Sequence, residues 1–348
     1  MDFRFTEEQE MMAGVLRDLL ADHCQPADLR RLMETGAPRD EARWSRIVEL
    51  GLQGILVPED RGGLGLQPVD FVLLAEAAGH AALPEPLIEN AGVALPLLAA
   101  IAPDSEVLAL ALEGGETVAL AHSANVFVAD ADTAGAVILA HGATVQIARP
   151  EVLTLTRQDS IDPFRRLFTV EGEGDVIAAR ADVQPALDAA FDRGALFAAA
   201  QLLGIAQRCV DLSVAYACER QQFGKPIGSY QAIKHHLATC QVRIEFARPV
   251  LYAAAADCPR GDMMSRARIS QARIACAAAA DLAARTAVQV HGAMGYSWEV
   301  DVHFFLKRAL ALSSWWGSDA LHRDRVATRV LNGPIGPDAT FAKEAVHA

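Results

Sequence analysis

The chain has 348 residues, 52% of them hydrophobic and only 6% aromatic, and a formal charge of −13. That length and apolar content exclude a disordered chain and allow two or three modules around a large buried core, and the wealth of alanine over aromatics favours closely packed helices. The acidic balance, with no basic stripe, excludes a nucleic-acid partner, and no run of about 18 uncharged apolar residues suggests a membrane span.

The reading along the chain gives a mostly α protein with a small β module. The amino-terminal segment is acidic and amphipathic, so no secretory signal is expected and a cytoplasmic location is. Residues 1–113 read as a helical domain. Thr6, with Glu8 and Gln9 beyond it, predicts the start of a first helix whose apolar face is Met12, Val15, Leu16, Leu19 and Leu20. A second amphipathic run carries Trp44, Ile47, Val48 and Leu50 before Gly51, and a third runs from Pro68 through Val72, Leu73 and Ala75 to Gly79. The glycines of Pro58–Gly65 lack phosphate-loop spacing and no Lys-Ser/Thr follows, so a tight helix-to-helix turn is expected there.

Residues 114–184 change pattern. Short runs at Thr117–Ala121, Val126–Ala129, Ala136–Ala140, Thr144–Ala148, Val152–Thr156 and Leu167–Val170 predict an antiparallel β domain, with a hairpin turn at His141-Gly142-Ala143. Asp162-Pro163 and Arg165-Arg166 read as a turn followed by a solvated strand end. Residues 185–348 read as a bundle of four long helices: Ala190–Glu219, one capped by Ser229 that Pro249 kinks or ends, Met263–Val290 and Val302–Leu312. His235, His236 and His303 read as surface or packed helix histidines. The six cysteines (Cys24, Cys209, Cys218, Cys240, Cys258, Cys276) show no ligand spacing, which predicts reduced thiols buried in helices and no metal site.

Two segments carry the most chemistry. Arg220 offers a planar fork of donors suited to phosphate oxygens, Gln231 and Gln289 offer neutral donors and acceptors, and Gly292 and Gly295 let backbone approach a ligand closely. The run Arg220-Gln221-Gln222-Phe223-Gly224-Lys225-Pro226-Ile227-Gly228-Ser229-Tyr230-Gln231 resembles the acyl-CoA dehydrogenase signature R-x-x-F-G-x-x-I-x-x-x-Q. Gln289-Val290-His291-Gly292-Ala293-Met294-Gly295-Tyr296-Ser297-Trp298-Glu299 resembles the same family's Q-x-x-G-G-x-G-Y-x-x-E, and Gly51–Gly65 resembles its G-x-x-G-x-x-V-P-E-x-x-G-G-x-G turn. The resemblance implies an FAD-dependent fold of N-terminal helices, middle β domain and C-terminal four-helix bundle. It also implies that Arg220, Phe223, Gln231, Gln289, Val290, His291, Gly292, Ala293 and Gly295 grip the ADP half of an FAD shared across a subunit interface. Ala293 stands where the family usually has glycine.

The same resemblance exposes gaps. The family's α-proton abstraction needs a carboxylate, but the usual Glu position falls on Trp316 and an alternate one near Gly194. No catalytic residue is therefore assigned, with Asp192 and Asp319 the nearest carboxylates. The family's T-E-P-x-x-G-S-D and W-I-T/S flavin-ring segments have no counterpart around Ala121–Val128. This combination resembles the short, base-less subunits of α2β2 acyl-CoA dehydrogenases of bacterial steroid catabolism, as do Ser160–Arg166 and Tyr296–His303. It implies a catalytic paralogue as partner, a bulky acyl-CoA such as a steroid thioester as substrate, and an electron-transfer flavoprotein as acceptor. The rivals are a homo-oligomeric dehydrogenase with a displaced base such as Asp319, and a flavin-free scaffold.

Overall fold

The computed structural model describes residues 4–258 and 260–334, so residues 335–348 of the expected bundle lie outside the described residues. Helix α1 (Glu7–His23) begins at the predicted cap: Thr6 Oγ1 accepts from the Gln9 amide, and the Gln9 side chain accepts from the Thr6 amide. Its buried face is Ala13, Leu16 and Leu20, with Val15 turned outward rather than inward. Helices α2 (Pro26–Thr35) and α3 (Glu41–Glu49) lead into the turn expected over Pro58–Gly65, which is built from single 3-10 turns. Gly63 has no room for a side chain there, because a Cβ would run into the Gly54 and Val57 carbonyls. Helix α4 (Pro68–Ala81) follows. Then α5 (Leu87–Glu89) and α6 (Leu95–Ile101) are joined by a π-helical turn over Asn90–Ala94, and α7 (Glu106–Leu112) ends the helices.

The strands are β1 (Val118–His122), β2 (Val128–Ala129), β3 (Ala136–Ala140), β4 (Thr144–Ala148), β5 (Thr154–Gln158), β6 (Leu167–Glu171) and β7 (Asp175–Ala179). They form two small sheets, ordered β1-β3-β4-β7 and β2-β6-β5. The predicted hairpin joins β3 to β4, with Gly142 at φ +115°. One pairing departs from the antiparallel expectation, since β1 and β3 run parallel. After β1 the chain leaves to lay β2 in the other sheet, then returns in the same direction. The run Ala136–Ala140 is buried along its whole length, as a strand covered on both faces must be. Strand β7, mostly exposed and lacking a clean apolar alternation, escaped the sequence reading.

The C-terminal helices are α8 (Arg180–Glu219), α9 (Gln231–Ala256), α10 (Met263–His291), α11 (Val302–Leu312) and α12 (Asp319–Asn332), so three long helices and two shorter ones replace the expected four. Ser229 does not cap α9; its hydroxyl donates to the Pro226 carbonyl, and Tyr230 is the residue before the helix. Pro249 neither ends nor interrupts α9. Ile244, Ala247, Leu251 and Ala254 are buried on either side of it, and that packing outweighs one lost backbone bond. Helices α4 and α8 touch backbone to backbone, because added Cβ atoms at Gly79 and Gly204 would overlap Gln201 and Glu76. Among the described residues α8 is the one helix long and apolar enough to cross a membrane, and most of that apolar stretch is buried as the central helix of the fold. One core cluster runs from α1 through α11 to Trp316, and a smaller one lies between the sheets. Five cysteines are buried; Cys218 is exposed.

Candidate functional site

The end of α8 and the end of α10 meet at an open groove of about 520 Å³. Its lining includes Arg220, Phe223, Val290, His291, Gly292 and Ala293, six of the nine residues singled out from sequence, together with Tyr216 and Tyr230. Gln231 is the first residue of α9 and Gln289 lies in the last turn of α10; both are exposed beside the groove without lining it. Gly295 is buried beneath, where a Cβ would stand 2.5 Å from the Val288 carbonyl oxygen, so the 3-10 turn Gly292–Tyr296 can pack onto α10 only with glycine there.

Local sequence explains how these groups are presented. Gln221–Gln222 and Lys225–Pro226 form a two-residue hairpin whose tip, Phe223-Gly224, has positive φ at both positions (+52° and +79°). Glycine adopts this readily, whereas a bulky aromatic there is an outlier that persists where its placement serves something. The Phe223 ring is 93% exposed, so burial within this chain does not explain it. Gly292 closes α10 at φ +60°, ψ −136°, a conformation reserved for glycine, and nothing lies within 4 Å of where its Cβ would be. The groove floor is a stacked pair, Tyr216 on His291, with centroids 4.2 Å apart. His291 Nδ1 bonds the Ala287 carbonyl at 2.7 Å and burial holds its pKa down, so the ring is neutral with the proton on Nδ1. The exposed Arg220 guanidinium has no acidic partner among the described residues. An apolar, aromatic groove with one free guanidinium and a glycine-opened backbone fits the adenine and pyrophosphate of a dinucleotide.

The positions that a catalytic carboxylate would occupy lie elsewhere, against the middle of α8. Trp316 is 1% exposed at φ +58°. Its amide donates to Asn125 Oδ1 (2.8 Å), its carbonyl accepts from His322 Nε2 (2.9 Å), and its indole N–H donates to Glu89. Trp315 donates its indole N–H to the same Glu89 carboxylate at 2.8 Å. Burial pushes the Glu89 carboxyl up. Glu89 was missed from sequence, since no motif surrounds it and both indoles lie more than 200 residues away.

Ser160–Arg166 corrects the expectation of a solvated strand end. Asp162 is fully buried and paired to Arg308, Phe164 packs on Phe304, and the Arg165 guanidinium lies 4.0 Å over Trp315. The two displaced-base candidates are both paired with arginines. Asp192 is buried between Arg325 (3.0 Å) and Arg266 (3.4 Å), with burial pushing its carboxyl up, and Asp319 is exposed and paired with Arg323. His235 and His236 are exposed on α9, and His303 packs between Trp298 and Phe304, as read from sequence. Among the described residues no group of His, Cys, Asp and Glu could hold a metal ion.

Comparisons with known proteins agree with this fold. Residues 185–331 match the family model described as acyl-CoA dehydrogenase, C-terminal domain, and residues 6–102 match acyl-CoA dehydrogenase, N-terminal domain. The chain is 33% identical over 306 residues to acyl-CoA dehydrogenase IpdE2 of Mycobacterium tuberculosis, covering 87% of this chain and 91% of that one. It is 31% identical over 305 residues to IpdE2 of Mycolicibacterium smegmatis, covering 87% and 93%. Among solved structures it superposes on the ChsE4-ChsE5 complex of Mycobacterium tuberculosis with a TM-score of 0.83 at 21% identity, over 96% of this chain and 100% of that one.

Proposed function

The chain belongs to the acyl-CoA dehydrogenase family, a family of FAD-dependent oxidoreductases, and from that premise we propose that it is the non-catalytic partner subunit of a mixed assembly, completing the flavin site of a longer paralogue. The observation that carries this reading is the groove at the ends of α8 and α10. Six of the residues that the family turns toward a neighbour's FAD line one exposed surface, while both positions that would carry a base hold residues that cannot accept a proton.

In this assembly the Arg220 fork pairs with the pyrophosphate, Gln231 and Gln289 bond the nucleotide edges, and Gly292 and Ala293 offer backbone at close range. Phe223, at the tip of its hairpin, reaches the partner. A bound FAD would supply a hydride acceptor for the acyl-CoA β-carbon, with an electron-transfer flavoprotein as the onward electron acceptor. This chain's residues bind and orient the nucleotide tail, and the carboxylate that removes the α-proton comes from the paralogue. The fold relative ChsE4-ChsE5 is itself a complex of two different chains, which supports a paralogue as partner. A steroid or similarly bulky thioester follows from the sequence resemblance, and we place the assembly in the cytoplasm.

The decisive experiment is co-expression with the paralogue and a flavin count. One FAD for each pair of chains is expected, with none retained by this chain alone. A homo-oligomer of this chain that holds flavin and is bleached by an acyl-CoA would overturn the reading. Asp192 and Asp319 offer little to that rival, one being committed to two arginines and the other lying at the surface.

A further inference from the structure

We propose that Trp316 and Gly194 form an interlocked plug that keeps a flavin ring and an acyl chain out of this chain's own chamber. The chamber is then closed by shape as well as by loss of an acid. The inference rests on the reading of this chain as the partner subunit and deepens it.

The two base positions come from different elements. One is on α8 and the other in the loop between α11 and α12, yet the structure brings them into direct contact. A Cβ built on Gly194 would fall inside the Trp316 indole, overlapping Cδ2, Cε2 and Cγ. The place where either kind of base would project is thus filled by one ring, and that ring fits only because position 194 has no side chain. A glycine in the middle of a 40-residue helix is intrinsically unfavourable, and so is a tryptophan in the left-handed region. Each is explained by the other.

The ring is also fastened from several sides. Asn125 from the β module, Glu89 from α5 and His322 from α12 hold its amide, its indole N–H and its carbonyl. Trp315 meets it edge-on, and Arg165 covers Trp315 in turn. Two spaces beside Glu89, one also lined by Arg165 and the other by Trp315, are about 40 and 10 Å³, room for a few water molecules at most, whereas a site for a cofactor ring needs roughly 300 Å³ or more.

The test reads thermal stability and flavin retention on the full chain, and again on the co-expressed complex. Gly194→Ala replaces glycine by the best helix former, so in an open chamber it would raise Tm. The plug instead requires that it lower Tm by roughly 5 °C or more, and that the loss vanish when combined with Trp316→Gly. Trp316→Gly alone is expected to lose roughly 5–15 °C, partly restored by millimolar indole in the variant and not in the wild type. A Tm gain from Gly194→Ala, or no response to indole, would each overturn the plug. One flavin per pair of chains together with a stabilising Gly194→Ala would keep the partner-subunit reading and reject the plug. The opposite pattern would keep the plug and reject the reading.

Discussion

The groove and the chamber are built on one helix, α8, but they are finished in opposite ways. At the C-terminal end of α8 the polar and aromatic groups are left open: Arg220 has no acidic partner among the described residues, and Phe223 holds a left-handed backbone with its ring in solvent. At the middle of α8 the same kind of backbone strain, at Trp316, is compensated on every side by hydrogen bonds and packing. Strain that a protein satisfies internally reads as architecture. Strain left facing water reads as a surface awaiting a partner or ligand. This contrast separates what the chain offers to another subunit from what it has closed to itself.

The contrast can be broken most severely at the latch between the β module and the bundle. Asp162→Ala leaves the buried Arg308 guanidinium without its countercharge, and removing one partner of such a pair costs about 3–5 kcal/mol. A large fall in the urea midpoint is expected, with flavin per folded complex unchanged because neither residue lines the groove at the C-terminal end of α8. Loss of flavin in proportion to loss of stability would show that the two regions are not separable.

Arg220→Gln probes the open side. A charge-assisted hydrogen bond contributes about 1.5–3 kcal/mol, so flavin affinity of the co-expressed complex should fall roughly 10- to 100-fold while Tm stays put. Unchanged flavin content would remove the guanidinium from the cofactor site.

A smaller effect comes from pH. Burial, reinforced by the nearby Arg273 charge, holds the His322 pKa down to about 4. Nε2–H donates to Trp316 and Nδ1 accepts from Ser270, an arrangement that needs the neutral ring. The folded value lies below the unfolded one of about 6.5. Its contribution is therefore complete above pH 6.5 and is lost as pH falls toward 4. Between pH 7.5 and 5.0, wild type should lose about 1–2 kcal/mol relative to His322→Gln in paired urea titrations. A gap that does not change with pH would mean that the ring is charged or solvated.

How much of this could be read from the sequence depends on the range of the interaction. The Thr6 cap, the hairpin at Gly142 and the groove glycines are local, so spacing and residue type specified them. Asp162 and Arg165 were misread as a solvated strand end because the residues that bury them, Arg308 and Trp315, lie about 150 positions on. Glu89 carried no local signal for the same reason. Pro249 was overruled by packing that a propensity cannot see, and the parallel β1–β3 pairing depends on a crossover between sheets. Trp316 and Gly194 were each visible as the wrong residue for a base. That they fill one space was not.

The smallest perturbation sharpens the comparison most, because it adds an atom's worth of room to the groove and touches nothing in the chamber. Ala293 is exposed, lines the groove beside Gly292, and carries one methyl group where the Q-x-x-G-G-x-G motif it resembles has glycine. It has no positive φ, so Ala293→Gly relieves no strain and costs well under 1 kcal/mol in backbone entropy. If the methyl only borders the nucleotide, flavin affinity should change by less than about threefold, since a single exposed methyl is worth well under the ~0.8 kcal/mol of a buried one. A gain of tenfold or more would mean that the methyl holds the pyrophosphate off the Gly292 backbone. The groove would then be a weakened grip that depends on the partner for most of its hold on the cofactor.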